Sequence, residues 1–254
     1  MAAGGEPERR HRLVYHALAE RLEHLVAEVL DAIRASLRLD PVADRRAAIR
    51  LSELLADAEA EGRLLGLDEL AAMVEGETVT IVGGAYSPLP SLEGVVVAAD
   101  GAVARLVWEL GTCPDIIFTD LDGPLEALLA CRHKSIYVVH AHGDNPWLLD
   151  YTVPLLPRVA GTVQVYPPPP HTSLALGFTD GDRALLTVVA LGASRVRLAC
   201  WGPGLPQHPA TKRLPNPLKP AKLRIAEDLV RLARLLCEEL HCRLEDTMGG
   251  DGLR

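Results

Sequence analysis

No apolar run in the sequence is long enough to cross a membrane, and the first residues lack the apolar core of a signal peptide. A membrane-spanning helix needs roughly 20 consecutive apolar residues, whereas the opening stretch MAAGGEPERRHR consists largely of charged and small residues. These two absences predict a soluble, cytoplasmic protein with no membrane partner.

Positive charge is also scarce. The 26 lysines and arginines are outnumbered by 34 aspartates and glutamates, which gives a formal net charge of -8. Proteins that bind nucleic acids usually present a basic surface, so we expect no nucleic-acid partner. A local basic patch could still hold the phosphates of a nucleotide, and small anionic ligands would then need a metal ion.

Cysteine is rare and shows no recognisable spacing. The cysteines are odd in number, far apart and without a CxxC pair, so the sequence predicts neither a disulfide framework nor a zinc site. We expect ordinary buried thiols at all five positions, which are Cys113, Cys131, Cys200, Cys237 and Cys242.

The first 75 residues have the pattern of helices. Apolar residues recur in steps of three or four from Val14 through Leu18 and Leu22 to Leu37, which predicts one face of a long helix ending at Asp40. Further helices are predicted over about 42–60 and 69–74. We expect residues 1–75 to form a helical appendage that covers a sheet or pairs with a second subunit in a homodimer. In the alternative, one of its basic side chains reaches the site to hold phosphate, the candidates being Arg45, Arg46 and Arg50.

After Gly76 short β-rich runs alternate with helical segments, which is the pattern of βα units. We predict an α/β domain over 76–246, with a doubly wound, mostly parallel six-stranded sheet, a closing helix over 222–240 and a flexible tail over 247–254. The proline-rich stretch 201–220 is expected to be an ordered loop or lid. The predicted strands are Val79–Val82, Val95–Ala99, Ile116–Thr119, Ile136–His140, Thr162–Tyr166 and Val196–Ala199.

Three of the predicted strands end in polar side chains. The strand at 95–99 ends in Asp100 and the strand at 116–119 in Asp120 and Asp122, while the strand at 136–140 ends in the stretch HAHGDN. In open α/β sheets ligands bind in the crevice beyond the carboxyl ends of the strands. The sequence therefore predicts that these side chains form part of an active site.

The pair Asp120 and Asp122, in TDLDG, has the spacing that lets two carboxylates converge on a hard cation when the backbone turns after a strand. Oxygen ligands suit Mg²⁺, which keeps several waters and bridges to substrate phosphates. The alternative interpretation is that these residues cap a helix.

In HAHGDN, His140, His142 and Asp144 occupy alternate positions. The histidines could ligate a transition metal, transfer protons near neutral pH or hold the turn by hydrogen bonds. Asp144 and Asn145 could simply cap the next helix.

Two further stretches are candidates for binding a nucleotide. In GFTDGDRA, Asp180 and Asp182 precede a helix, where they cap it or, together with Arg183, contact phosphate or ribose. Gly83 and Gly84 follow the first strand, where they make a tight turn or let backbone N–H groups approach a phosphate.

Two family resemblances follow from these motifs. TDLDGPL resembles the DxDG motif of haloacid-dehalogenase-type phosphatases, but two predicted strands precede it and Pro124 follows the glycine. The four stretches VVVAADGA, PDIIFTDLDG, VVHAHGDN and GFTDGDRALLTVVALGA together resemble the archaeal 6-hydroxymethyl-7,8-dihydropterin pyrophosphokinase family over roughly 79–201. ADGA and PDIIFTDLDG also resemble thiamine pyrophosphokinase.

The pyrophosphokinase resemblance implies transfer of diphosphate from ATP to the hydroxymethyl group of a dihydropterin, with Mg²⁺ and release of AMP, in the synthesis of a pterin cofactor. Asp120 and Asp122 are then expected to bind Mg²⁺, with Asp144 and Asp182 contacting the ion directly or through its other ligands. His140 or His142 could help to deprotonate the hydroxymethyl group. The expected contacts to the nucleotide or pterin are Gly83, Gly84, Asp100, Gly101, Asp180, Arg183, Lys219 and Lys222.

The chain departs from the family pattern at two places, with GGAYSPLPSL in place of a GxGPSL-like loop and CWGPG in place of a GxDxG-like segment. The competing functions are therefore a thiamine pyrophosphokinase-like diphosphotransferase and a non-catalytic nucleotide-binding scaffold.

Overall fold

A computed structural model describes residues 25–202, 205–211 and 217–247 of the protein. The predicted helical positions Val14, Leu18 and Leu22 lie outside the described residues, as do the opening stretch 1–12, residues 248–254 of the expected tail, and parts of the proline-rich loop. Among the described residues, no helix has the length and apolar character needed to cross a membrane.

Three helices precede the sheet. Helix α1 is described over residues 25–36, α2 spans Pro41–Ala60, and α3 spans Leu67–Val74. Asp40 caps α2 by accepting a hydrogen bond from the backbone N–H of Val42 at 2.8 Å. Helix α2 packs on the sheet so closely that a Cβ atom on Gly161 would lie 2.2 Å from the side chain of Leu55.

The sheet has eight strands, so the prediction of six strands is wrong in number. Its order is β6-β5-β4-β3-β2-β1-β7-β8, and every pairing in it is parallel. The strands are β1 Thr78–Val82, β2 Val95–Ala99, β3 Ile116–Thr119, β4 Ile136–Ala141, β5 Val159–Val163, β6 Ser173–Leu174, β7 Arg195–Ala199 and β8 Arg243–Asp246.

The two missed strands are the edges of the sheet. Strand β6 has only two residues, and β8 reads RLED, so neither has the apolar run that marks a buried strand. Strand β5 begins and ends three residues earlier than predicted. The prediction followed an apolar and β-branched run that continues past the end of β5 as far as Tyr166.

Within the described residues, five helices connect or close the strands. Gly111 ends the helix after β2 in a left-handed conformation (φ 64°), and Pro124 and Asn145 precede the next two helices. The closing helix begins three residues before its predicted start. These helices are α4 Ala102–Leu110, α5 Leu125–Ala130, α6 Pro146–Thr152, α7 Asp180–Ala190 and α8 Lys219–Glu239.

Both faces of the sheet are covered, which confirms the doubly wound class. One hydrophobic layer contains α2, α4, α5 and α6, and the opposite layer contains α1, α3, α7 and α8. Successive strands from β1 to β6 extend the sheet in one direction, whereas β7 returns to the other side of β1. The direction of winding therefore reverses at β1, where α/β folds form a ligand crevice.

The expectation of five free thiols is wrong for four cysteines. Cys113 and Cys131 form a disulfide with their Cα atoms 5.5 Å apart, and Cys237 pairs with Cys242 at 4.7 Å. Cys200 remains a buried free thiol. The first pair could not be predicted from spacing, because the fold brings the loop before β3 against the end of α5.

Candidate active site at the carboxyl edge of the sheet

A cavity of about 860 Å³ lies beyond the carboxyl ends of the central strands. Its lining comes from the loops after β1, β2, β3, β4, β5 and β7 and from helices α2, α7 and α8. A cavity at this place and of this size is typical of a small-molecule site. Most of the sequence-predicted site residues lie in its wall, namely Gly83, Gly84, Asp100, Gly101, Asp120, Asp122, His142, Asp144, Asp180, Arg183, Lys219 and Lys222.

Three carboxylates form the acidic cluster of this cavity, which we define as Asp100, Asp120 and Asp122. One carboxylate oxygen from each lies within 4.8 Å of the other two. The sequence predicted the pairing of Asp120 with Asp122, but it gave Asp100 a contact with nucleotide or pterin. Asp144, by contrast, lies at the exposed rim of the cavity.

The backbone positions the acidic cluster through two left-handed residues. Leu121 has φ 68° and Asp100 has φ 40°, and non-glycine residues rarely adopt such values. The hydroxyl of Thr119 donates to Asp100 Oδ1 at 2.6 Å and accepts the N–H of Leu121 at 2.8 Å. Gly123 is required beside this arrangement, because a Cβ atom there would lie 2.5 Å from Asp100 Oδ2.

The electrostatics of the site show closely spaced negative charge in the wall of the cavity. Burial, followed by the charge of Asp120 and of other nearby carboxylates, raises the pKa of Asp100 well above its ordinary value. The same two causes raise the pKa of Asp180 to about 7. Burial also raises the pKa of Asp120, but the hydrogen bond from His142 and the charge of Arg183 outweigh it and bring that pKa well below normal. A bound cation would relieve this repulsion.

His142 holds Asp120 in place. Its Nε2 lies 3.2 Å from Asp120 Oδ2, and its Nδ1 accepts the backbone N–H of Asp144 at 3.3 Å. Because Nδ1 is the acceptor, the hydrogen-bond pattern assigns the ring proton to Nε2, which donates to Asp120. In this arrangement His142 orients a carboxylate, and neither ring nitrogen is free to take a proton from a substrate.

His140 lies deeper, on β4. Its side chain is 1% exposed, and its Nδ1 lies 3.1 Å from the hydroxyl of Thr162. Burial, then the charge of Arg183, lowers the pKa of His140 well below its ordinary value. Within the described part of the chain its Nε2 has no hydrogen-bond partner.

Asn145, which the sequence suggested as a helix cap, uses its side chain to join two strand ends. Its amide nitrogen donates to the carbonyls of Asp120 and His140, both at 2.8 Å, and its oxygen accepts the N–H of His142 at 3.0 Å. It thereby fixes the loop after β3 against the loop after β4.

Asp180 and Asp182 have different environments although they are two residues apart. Asp182 is fully buried, and its carboxylate accepts the hydroxyl of Thr179 at 2.6 Å and the backbone N–H groups of Thr179 and Phe178. It completes a capping box at the start of α7. Asp180 faces the cavity, where Arg183 donates to it at 2.9 Å.

The glycines after β1 and β2 let another segment of the chain approach. Gly84 accepts the N–H of His208 at 2.9 Å, and a Cβ atom on Gly101 would lie 1.8 Å from the carbonyl oxygen of Thr211. A Cβ atom on Gly83 would lie 2.8 Å from the carbonyl of Cys200. The segment 205–211 therefore packs over the ends of β1 and β2 and forms one wall of the cavity.

Basic side chains line the side of the cavity formed by α7 and α8. Lys219 and Lys222 lie in the first turn of α8, and the ammonium of Lys222 is 5.7 Å from the ring of Phe178. The arginines considered on α2 lie elsewhere. Arg50 pairs with Asp150 at 2.5 Å, and Arg45 donates to the carbonyl of Pro167 at 3.0 Å.

The sequence did not reveal two residues of the cavity wall, Asp44 on α2 and Gln164 directly after β5. Both are about 97% buried, and the Gln164 amide donates to Asp44 Oδ2 at 2.7 Å. Asp44 Oδ1 accepts the N–H of Gly143 at 2.8 Å. A single aspartate in a helical pattern gives no signal of such contacts, because its partners lie 99 and 120 residues away.

Comparison with known proteins gives a family match that includes most of this site. Residues 68–200 match the family described as 6-hydroxymethylpterin diphosphokinase MptE-like, which is more than half of the chain. Three relatives carry the name 6-hydroxymethyl-7,8-dihydropterin pyrophosphokinase. The chain is 38% identical to the Pyrococcus furiosus protein over 165 residues, which are 61% of this chain and 67% of that protein.

The other two relatives come from Methanocaldococcus jannaschii and Methanothermobacter thermautotrophicus. Identity is 36% over 174 residues with the Methanocaldococcus jannaschii protein, covering 61% of this chain and 69% of the relative. With the Methanothermobacter thermautotrophicus protein it is 48% over 107 residues, or 41% of this chain. That alignment spans 44% of the relative's length, so the similarity is concentrated in part of the chain.

Proposed function

Because the chain belongs to the MptE-like 6-hydroxymethylpterin diphosphokinase family, we propose that it transfers diphosphate from ATP to 6-hydroxymethyl-7,8-dihydropterin in a Mg²⁺-dependent reaction that releases AMP. The reaction would serve the synthesis of a pterin cofactor in the cytoplasm. The observation that carries the proposal is the acidic cluster Asp100, Asp120 and Asp122 in the wall of a cavity that also holds basic side chains.

The donor set of the acidic cluster fits Mg²⁺. All of its candidate ligand atoms are carboxylate oxygens, which magnesium prefers, and burial together with nearby carboxylates raises the pKa of Asp100. Asp100, Asp120 and Asp122 would hold the ion, with Asp144 at the rim beside them. When bound, the ion would neutralise phosphate charge and align the triphosphate with the acceptor.

The reaction itself needs positioning more than covalent chemistry. The oxygen of the acceptor's hydroxymethyl group attacks the β-phosphorus, the bond from that phosphorus to the oxygen bridging to the α-phosphate breaks, and AMP leaves. The hydroxyl proton is lost to solvent. Arg183, Lys219 and Lys222 would offset the phosphate charge from the α7 and α8 side of the cavity.

The hydrogen bonds of His142 support an indirect role for it. Since its Nε2 proton is directed at Asp120, it would hold that carboxylate in the geometry for the metal and would not act as the base. His140 would support the loop after β4 from below. Metal and phosphate positioning would then carry most of the rate enhancement.

An acceptor screen tests the proposed function. The purified protein is incubated with ATP, Mg²⁺ and either 6-hydroxymethyl-7,8-dihydropterin or thiamine, and AMP is measured. We expect AMP with the pterin, none with thiamine, and none when EDTA is present. AMP formed with thiamine alone would identify a thiamine pyrophosphokinase. Binding of ATP without AMP from either acceptor would identify a nucleotide-binding scaffold.

The expected pairing of two copies stays a prediction, which sedimentation velocity tests directly.

A further inference from the structure

A buried carboxylate lies in the cavity wall apart from the acidic cluster. Asp44, in the first turn of α2, is 3% exposed, and three donors hold its carboxylate. Gly143 donates its backbone N–H to Oδ1, whereas the amide of Gln164 and the guanidinium of Arg34 approach Oδ2 at 2.7 and 3.4 Å. Burying a charge is costly unless it is paired and hydrogen-bonded. Here the pairing leaves a fixed acceptor in the wall of the cavity.

The carboxylate of Asp44 can accept more hydrogen bonds than the described residues donate to it. An ionised carboxylate offers about four lone-pair sites. Two donors share Oδ2, but within the described part of the chain Oδ1 accepts only the N–H of Gly143. One acceptor position on Oδ1 therefore remains for a group in the cavity.

The loop after β4 is built to place Asp44 at this position. A Cβ atom on Gly143 would lie 2.7 Å from the Cβ of Ala43 and 3.3 Å from Asp44 Oδ1. Only glycine lets α2 approach closely enough for the hydrogen bond to Asp44. The glycine of HAHGDN thus has a role that the sequence motif alone did not suggest.

The order of the strands separates two sides of the cavity. The acidic cluster lies after β2 and β3, the glycines of 83–84 and the segment 205–211 lie after β1 and β7, and Asp44 with Gln164 lies beside β4 and β5. Since neighbouring strands are about 4.8 Å apart, the end of β5 is roughly 10 Å from the end of β3. A bicyclic ring with a one-carbon arm can span that interval.

The two faces of the sheet also bring different side chains to the cavity. Lys219, Lys222 and Arg183 face the side of α7 and α8, where a triphosphate is favoured. Around Asp44 the lining includes the apolar side chains of Leu39, Ala43 and Leu148. Apolar walls with a few placed polar groups suit a flat, uncharged heterocycle.

We propose that Asp44 is the specificity residue for the acceptor, accepting a hydrogen bond from the amino and N–H edge of its 2-amino-4-oxopyrimidine ring, with Gln164 positioning the carboxylate. This inference rests on the proposed function, because it names how the acceptor of that reaction is recognised. The remaining position on Oδ1 accepts one N–H, that of the 2-amino group, and a hydrogen bond to a charged group is stronger than a neutral one. The ring would lie against α2 with its hydroxymethyl arm directed at the acidic cluster.

The test compares two acceptors and three variants. AMP formation is measured with 6-hydroxymethyl-7,8-dihydropterin and with its 2-oxo analogue, 6-hydroxymethyl-7,8-dihydrolumazine, at saturating ATP. The wild type should prefer the amino compound at least tenfold in kcat/KM. Asp44→Asn should raise the KM for the pterin at least tenfold, leave the KM for ATP within twofold, and lose most of the preference. The control Asp57→Asn removes an exposed carboxylate from the same helix and should change neither value.

A purely structural role for Asp44 would not alter the preference between the two acceptors. The proposal is overturned if Asp44→Asn keeps both the pterin KM and the wild-type preference. Should that variant fail to fold, Gln164→Leu provides the same test, because it removes the donor that orients Asp44. An unchanged pterin KM in folded Gln164→Leu would then overturn the proposal.

A binding measurement separates this inference from the proposed function. Equilibrium dialysis with the stable probe 6-hydroxymethylpterin requires no turnover. If the wild type binds the probe at least tenfold more tightly than Asp44→Asn but forms no AMP, the recognition role stands and the proposed function fails. If the wild type forms AMP and both proteins bind the probe equally, the proposed function stands and the recognition role fails.

Discussion

The Nε2 of His142 lies 3.2 Å from Oδ2 of Asp120, while the other ring nitrogen of His142 accepts a backbone N–H at 3.3 Å. These two contacts define one tautomer and one direction of donation. The role proposed for His142 is therefore to support a carboxylate, whereas the sequence suggested His140 or His142 as a group that could help to deprotonate the hydroxymethyl group. The distinction matters because the two roles predict different effects of replacing His142.

Replacing His142 tests its role as a support. A hydrogen bond to a charged group contributes about 1.5–3 kcal/mol, so His142→Ala should lower kcat/KM by roughly tenfold or more and raise the Mg²⁺ concentration for half-maximal rate. His142→Gln, which can still donate an N–H, should recover part of both. The measurement is AMP formation against Mg²⁺ concentration at several pH values. A general base would be indicated instead if both variants were equally inactive and the pH profile lost a limb near neutral pH.

The capping role of Asp182 predicts a loss of stability. Asp182→Ala leaves the buried N–H groups of Phe178 and Thr179 without their acceptor, so the free energy of unfolding should fall by about 2 kcal/mol or more. Asp182→Asn keeps one acceptor oxygen and should lose less. Urea denaturation measures both.

The matched measurement is the Mg²⁺ dependence of turnover in folded Asp182→Asn, which should equal that of the wild type. A several-fold higher Mg²⁺ concentration for half-maximal turnover in this variant would support the role of metal ligand that the sequence suggested.

The raised pKa of Asp180 predicts how stability depends on pH. Burial and the charge of Asp120 raise this pKa from 3.8 to about 7, so the folded protein holds a proton that the unfolded chain has already lost. Stability from this group is therefore present at low pH and falls as the pH rises from about 4 to 7, at about 1.4 kcal/mol per pKa unit as an upper limit. Thermal melts without divalent cations should show a decline from pH 5 to pH 8 that Asp180→Asn reduces.

Added Mg²⁺ should raise the melting temperature more at pH 8 than at pH 5, because the carboxylates it relieves are charged there. An equal effect of Mg²⁺ at both pH values would contradict this account of the electrostatics.

The close approach of Gly123 to Asp100 predicts a sensitive position. A Cβ atom at residue 123 would lie 2.5 Å from Asp100 Oδ2, so Gly123→Ala should displace that carboxylate from the acidic cluster. We expect at least a tenfold loss of kcat/KM with a fold that circular dichroism shows to be intact. Gly111→Ala serves as the control for glycine replacement outside the site and should keep the activity. Full activity of Gly123→Ala would show that Asp100 is not needed in the cluster.

Local sequence patterns predicted most of the framework because buried parallel strands are continuous apolar runs. Strands β2 and β3 were predicted to the residue, and β1, β4 and β7 to within one residue at an end. Edge strands have no such run, so RLED at β8 gave no signal. The acidic pair Asp120 and Asp122 was found because both residues follow a strand in a recognisable motif.

Long-range contacts account for what local patterns missed. Asp44 meets Gly143 and Gln164 only after α2 folds over β4 and β5, and nothing near Asp44 in the sequence indicates this. Asp100 joins the acidic cluster only because β2 and β3 are neighbours. The sequence did offer helix capping as one role of Asp182, and Thr179 and Asp182 have the spacing of the capping box that the structure shows.

The central claim is that the acidic cluster binds the divalent ion that holds the triphosphate, and Mn²⁺ binding measured by electron paramagnetic resonance tests it most directly. In the presence of a non-hydrolysable ATP analogue, the wild type should bind Mn²⁺, and Asp120→Asn and Asp122→Asn should each weaken that binding at least tenfold. Asp144→Asn, at the exposed rim, should weaken it much less. Mn²⁺ affinity unchanged in both Asp120→Asn and Asp122→Asn would contradict the account.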